Sequence, residues 1–257
     1  ALGSGVAWGQ LGYQTSGSVI GDDVMYSIGG GSAVSMGRAA GMRSIEFVVS
    51  AADGHSRANV GRSSAEAAMQ IPEIVAIAHD SDVTVEVIVA TAWDCPFDGP
   101  TDPQRVLDII ASATYAAADR LAIADTIGTA TPRRVSDLIA GVRPLIGDTP
   151  LGAHFHNTRG AGMASAWAAV AAGVTRLDAS VGGLGGCPYA PGATGNIVTE
   201  DLVFLLESMG LRTGIDLDKL IAARAKVLAG LPGETLYGNV ADAGLPKGFR
   251  YASGRAA

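Results

Sequence analysis

Five times between residues 44 and 181 the chain repeats one pair of patterns, a run of β-branched and aliphatic residues followed by a stretch of helical period. The runs are 44-SIEFVVSA-51, 83-VTVEVIVATA-92, 120-RLAIADT-126, 151-LGAHFHN-157 and 175-TRLDASV-181. Strands so apolar must be covered on both faces, and strands separated by a helix cannot form hairpins. Parallel βα units are the arrangement that satisfies both demands. A shorter run, 24-VMYSI-28, adds a sixth strand, followed by a glycine-rich turn and a helix ending at Gly41. The fold class this implies is α/β, a TIM-type (β/α) barrel. A chain of 257 residues has the length of one such barrel, about 250 residues in eight units. Six strands fall short of eight, and the shortfall lies at the N-terminus. Residues 1–257 are therefore expected to form a single (β/α) barrel domain, with an irregular segment at 1–22 and an irregular tail at 231–257.

Composition narrows the function. Aromatic residues make up only 5% of a chain that is 48% hydrophobic, so small aliphatic side chains must fill the core. A net charge of −7 argues against nucleic acid as a partner. No basic run suggests a membrane surface, and apolar stretches such as 160-GAGMASAWAAVAAG-173 are too short to span a bilayer. Two cysteines, Cys95 and Cys187, are too few for a disulfide framework, and nothing reads as a secretory signal, so a cytoplasmic setting is expected. Neither GxGxxG nor GxxxxGK[ST] is present, which removes the usual nucleotide-phosphate readings.

The polar residues cluster where barrel enzymes place their chemistry, at the C-terminal ends of strands: Ser50, Asp53, Asp94, Asp125, His154, His156 and the loop after residue 181. His154 and His156 are two apart on a strand, so both imidazoles face the same side. The loop 182-GGLGGCPYAPGATGN-196 presents Cys187 among glycines and closes on Asn196. Two imidazoles and an amide oxygen make a partial shell for a divalent cation. Glycine in this density suits a loop that closes over a ligand. A thiol there is a candidate proton donor or nucleophile.

At 154-HFHNT-158 and 184-GLGGCPYAPGATGNIVTEDLV-203 the chain resembles 3-hydroxy-3-methylglutaryl-CoA lyase, of the metal-dependent lyase and acyltransferase superfamily built on TIM barrels. The likeness extends to 125-DTIGTATP-132, 94-DCPFDGP-100 and 234-ETLYGNV-240. It implies cleavage of 3-hydroxy-3-methylglutaryl-CoA, or a close 3-hydroxy-acyl-CoA, to acetyl-CoA and acetoacetate. The metal implied is Mg²⁺ or Mn²⁺, though the mixed donor set admits Zn²⁺ as well. His154, His156 and Asn196 would be its ligands and Cys187 the catalytic cysteine.

Such a retro-Claisen cleavage requires loss of the tertiary hydroxyl proton, stabilisation of the departing enolate and its protonation. A cation chelated by substrate oxygens assists the first two steps. A thiol with a pKa near the ordinary value of about 8.5 suits the third. Asp125 reads either as a substrate-orienting carboxylate or as a turn aspartate. Glu200 reads as a first-turn helix carboxylate and Cys95 as structural. Residues 53-DGHSRANVGRS-63 read as a polar loop, either solvated or offering His55, Arg57, Asn59 and Arg62 to coenzyme A.

The family's first strand carries an Arg-Asp-Gly motif that supplies a metal ligand and the enolate-stabilising arginine. Here Asp-Gly occurs only at 53–54 and 98–99, neither preceded by Arg. The chain reads as a member lacking its first two βα units or one diverged there. Two further readings follow: a non-catalytic or impaired metal-binding relative, and a Claisen-type acyltransferase, against which the GLGGCPYA loop counts. Missing strands would leave an apolar edge, to be filled by residues 1–28 or by a second copy, so a homo-oligomer, most simply a dimer, is expected.

Overall fold

The computed structural model describes residues 10–12, 25–27, 43–186 and 195–256. Five parallel strands form its centre: β3 (Ser44–Ser50), β4 (Thr84–Ala90), β7 (Arg120–Asp125), β8 (Leu151–Phe155) and β9 (Arg176–Asp178). They lie side by side in sequence order. Parallel neighbours joined in order, each by a crossover of the same hand, put every helix on one face and curl the sheet toward a barrel wall. Two short strands extend the row. β2 (Met25–Ser27) runs parallel to β3, and β1 (Gln10–Gly12) runs antiparallel to β9. The six strands read from the sequence are all present. β1 is an addition inside the segment read as irregular, and a two-residue hairpin pairs β5 (Asp94–Cys95) with β6 (Gly99–Pro100). The helix expected to end at Gly41 lies outside the described residues.

The helices are α1 (Asp53–Val60), α2 (Ser64–Ala68), α3 (Ile71–His79), α4 (Pro103–Tyr115), α5 (Pro132–Ile146), α6 (Gly162–Ala171), α7 (Thr199–Ser208), α8 (Leu217–Gly230) and the single turn α9 (Val240–Ala243). Their starts follow local chemistry. Ser63 and Glu66 form a reciprocal capping box, and Asp102 accepts the Gln104 N–H ahead of Pro103. The stretch of helical period that follows the run 44–51 contains two separate helices, α2 and α3, because Pro72 opens a new one. The polar loop expected at 53–63 is instead α1. Its Asp, Gly, His, Ser and Asn are weak helix formers, and tertiary contacts override them: Asp53 accepts the Ser64 N–H and an Arg105 N–H, while the Gly54 N–H donates to Asp98 at 2.6 Å.

The two faces of the sheet differ. Ile45, Phe47, Val49, Val85, Val87, Val89, Leu121, Ile123, Leu151, Phe155 and Leu177 point to the helices and build the main core with residues such as Ile110 and Ile139. The opposite face carries a small apolar cluster of Ile88, Ala122 and Ala124 against Val48. Beneath it lie charges. Glu86 on β4, fully buried, pairs with Arg176 on β9 at 2.8 Å, although β7 and β8 stand between them. Gly152 makes the reach possible: a Cβ there would come within 3.2 Å of the Glu86 carboxylate and 3.3 Å of the Ala122 methyl.

Glu46 shares this interior. Burial first, then the charges of Asp178 and Glu86, push its pKa up to about 8, against a smaller opposing pull from Arg176. Its carboxyl is neutral at pH 7 in the fold. The folded state therefore retains a proton that the unfolded chain gives up above its ordinary value of 4.5, so this group lowers stability as pH rises from there to about 8. Urea midpoints measured from pH 5 to 8 should fall in the unaltered protein and fall less steeply in Glu46→Gln. Parallel pH profiles for the two proteins would contradict this placement of the proton.

Candidate active site

The site begins with a row set by strand register. His154 pairs with Ala124 on one side and Asp178 on the other. Period-two alternation puts His154 and His156 on the face away from the helices, and their ring centroids are 5.1 Å apart. His154 Nδ1 lies 3.3 Å from Asp178 Oδ2. An Nδ1–H donated to that carboxylate would leave Nε2 with its lone pair, the tautomer a metal ligand needs.

Asn196 arrives from 41 residues further along the chain than Phe155 (196 − 155) because the chain returns against the end of β8. The Asn157 N–H donates to Gly195 O at 3.1 Å, the Ile197 N–H donates to Phe155 O at 3.2 Å, and Asn196 bridges His156 antiparallel. The amide of Asn196 is then oriented by its own donors. Nδ2 donates to Leu184 O at 2.7 Å and to Gly185 O at 3.3 Å, which turns Oδ1 the other way. Oδ1 is buried and has no hydrogen-bond partner among the described residues. A buried acceptor left so costs about 1–3 kcal/mol, and a cation would satisfy it.

Among the described residues no three His, Cys, Asp or Glu side chains gather closely enough to hold a metal. His154, His156 and Asn196 would offer such an ion two imidazoles and one amide oxygen. That set fits a hard divalent cation whose other positions are filled by oxygen atoms. A closed tetrahedral structural site would need four protein ligands.

The glycine loop leaves this site from a braced base. Gly182 and Gly183 have φ values of +63° and +67°, which side-chain-bearing residues rarely adopt. A Cβ on Gly183 would lie 3.0 Å from Asn196 O. Glu200, fully buried, accepts the Gly182 N–H and pairs with Arg224 at 3.3 Å. Arg224 in turn donates to Leu236 O and Tyr237 O. Glu200 is the expected first-turn carboxylate of α7 and also braces the loop; its partner, 24 residues away, leaves no local signature. Cys187 itself lies outside the described residues.

Asp125 ends β7 in register with Phe155, between the two histidines. Its oxygens accept the Thr129 and Ala130 N–H groups, each at 2.9 Å. It shapes loop 126–131, and burial raises its pKa, with the charge of Asp94 adding to the effect and the backbone donors opposing it. Asp94 ties the same loop to α5, accepting from Thr129 Oγ1 at 2.5 Å and Arg134 at 2.7 Å. Cys95 is buried and accepts the Phe97 N–H, a structural placement. Arg57, Asn59 and Arg62 are exposed on and just past α1. His55 is buried and lies 2.6 Å from Ser50.

The HMGL-like family model matches residues 27–227. The chain belongs to the HMGL-like family. Among its relatives is the (R)-citramalyl-CoA lyase of Chloroflexus aurantiacus, 42% identical over 185 residues, 72% of this chain and 58% of that one. The mitochondrial hydroxymethylglutaryl-CoA lyase of Bos taurus is 34% identical over 193 residues, 75% of this chain and 59% of that one. The chain thus matches well under two thirds of the length of these HMGL-like relatives. The fold agrees: an HMG-CoA lyase of Acinetobacter baumannii, solved with coenzyme A and 3-methylmalate, superposes with a TM-score of 0.82 at 34% identity over 91% of this chain and 77% of that one. The Bacillus subtilis HMG-CoA lyase gives 0.80 at 27% identity over 86% and 74%. The α/β fold with a parallel sheet is that of the HMG-CoA lyase barrels.

The sequence pointed to the histidines and to Asn196 but not to Asp178, an ordinary strand residue until the register sets it against His154. Removing its charge while keeping its shape, in Asp178→Asn, should weaken Mn²⁺ binding by about 10–100-fold, read by titration calorimetry. Unchanged affinity would contradict the role.

Proposed function

We propose that the chain is a divalent-metal-dependent carbon–carbon lyase acting on a 3-hydroxy-3-methyl acyl-CoA, either 3-hydroxy-3-methylglutaryl-CoA or citramalyl-CoA. The observation that carries this reading is Asn196. Its buried amide oxygen lacks a partner among the described residues while its nitrogen is held by two carbonyls, beside a pair of histidines at one strand end. Family membership and the two lyase relatives agree with it.

In the reaction the substrate's tertiary O–H loses its proton, the C2–C3 bond breaks to give a ketone and the acetyl-CoA enolate, and C2 regains a proton. A bound Mg²⁺ or Mn²⁺ supplies the polarisation that makes the hydroxyl acidic. His154, His156 and Asn196 would hold that ion, with Asp178 fixing the His154 ring. Cys187, on the glycine loop, would return the proton to C2, since a thiol of ordinary pKa, about 8.5, is mostly protonated at neutral pH. The brace of Glu200 and Arg224 would let the loop close from a fixed base.

A second reading rests on one sequence fact, the absence of Arg-Asp-Gly. Without the enolate-stabilising arginine the chain would be a metal-binding relative with impaired catalysis, since one preorganised electrostatic group is worth about 10²–10³ in rate. An assay of acetoacetate or pyruvate release from the two thioesters, with Mg²⁺ or Mn²⁺ and a Cys187→Ala control, separates the readings. The lyase reading predicts metal-dependent turnover that falls by about 10²–10⁴ in the variant. Mn²⁺ binding with no turnover on either thioester would overturn it in favour of the second.

A further inference from the structure

A cavity of about 270 Å³ opens between α4 and α5, and nothing above uses it. Trp93, Leu107 and Leu138 give it an apolar wall, while Arg134 and Asp137 line it with opposite charges. Gly141 of α5 keeps the gap clear of a side chain: a Cβ there would lie 3.4 Å from a Leu107 methyl. The wall belongs to the core on the helix side of the sheet. The histidines of the candidate active site face the other side, so an occupant here would touch no reacting atom.

The wall and its arginine are already fixed in place. Trp93 Nε1 donates to Arg134 O at 3.2 Å, and the indole packs against Phe155 with ring centroids 5.8 Å apart. Arg134 Nη1 donates to Asp94 at 2.7 Å and to Thr129 O at 3.3 Å, and Nη2 donates to Trp93 O at 3.0 Å. Nε–H and one Nη2–H then have no partner among the described residues. A planar guanidinium held this way offers a carboxylate two donors with little rotamer freedom left to lose. Asp137, three residues on and therefore on the same helix face, is exposed, and it pairs with the exposed Arg133 at 3.7 Å.

Charge then selects the class of occupant. A simple carboxylate that reaches Arg134 also meets the charges of Asp94 and Asp137. A simple amine that reaches Asp137 also meets Arg133 and Arg134. A molecule carrying both groups on one carbon satisfies both sides, with its carboxylate on Arg134, its ammonium toward Asp137 and its apolar body along Trp93, Leu107 and Leu138. Benzene is held by a cavity of about 150 Å³, so a ring and an amino-acid head fit within the space present. We propose that this cavity binds a free α-amino acid with an apolar side chain of about phenylalanine's size, at a site separate from the one that takes the acyl-CoA.

Calorimetric titration of the 257-residue chain with L-phenylalanine, 3-phenylpropionate and 2-phenylethylamine tests the charge argument. L-Phenylalanine should bind about tenfold or more tightly than either compound lacking one charge, the worth of one charge-assisted hydrogen bond. Gly141→Leu fills the cavity and improves a helical position, so its affinity should fall by about tenfold or more while its urea midpoint holds. Asp137→Asn changes an exposed side chain and leaves the fold alone. It should weaken L-phenylalanine by about tenfold and leave 3-phenylpropionate no weaker. Absence of L-phenylalanine binding at millimolar concentration, equal binding of the three compounds, or affinity that both variants leave unchanged would overturn the proposal. So would displacement of L-phenylalanine by coenzyme A, which would assign the cavity to the acyl-CoA site.

Discussion

The site depends on a short return of the chain across the end of β8. Two backbone hydrogen bonds, Asn157 N–H to Gly195 O and Ile197 N–H to Phe155 O, hold residues 195–197 against the strand that carries the histidines. Everything specific follows from that pairing. It sets Asn196 opposite His156, it brings the Asn196 amide within reach of Leu184 and Gly185, and it joins the two arms of the glycine loop at their base. On the proposed reading, Cys187 would come from this loop, while the ligands His154, His156 and Asn196 would lie where its end meets β8.

Beneath that row the interior is unusually charged for a packed fold. Glu86 and Arg176 span two intervening strands only because Gly152 and Ala122 leave the space. The pair shares its surroundings with Glu46 and Asp178, and the low dielectric there sharpens each interaction. Asp178 is where structure and chemistry meet: it raises the proton affinity of Glu46 from one side and orients His154 on the other.

The fold was largely legible because its signal is repetitive: five apolar strands at helix-length spacing leave few alternatives to a parallel sheet. Three features were not legible, each for a physical reason. α1 is built from weak helix formers and held by Asp98 and Arg105, both remote in sequence, and by the nearby Ser64. β1 is three residues long with no period to read, and exists through its pairing with β9. At the site the sequence marked the histidines and Asn196 by type and spacing, and the structure brings these three together. It could not show Asp178, Glu200 or Arg224 as partners, because their roles come from strand register and from helix packing over 24 residues. Asp125, legible as a strand-end carboxylate, has both oxygens engaged by the backbone of its own loop.

The central claim is that His154, His156 and Asn196 gather around one divalent ion. Electron spin-echo spectroscopy of the Mn²⁺-loaded chain tests it without reference to turnover, because imidazole nitrogens bound to Mn²⁺ modulate the echo. The account predicts a nitrogen modulation that weakens in His154→Ala and again in His156→Ala, and a loss of Mn²⁺ affinity in Asn196→Ala with the nitrogen signal retained at saturation. An Mn²⁺ signal with no nitrogen modulation, or one unchanged by either histidine substitution, would contradict it.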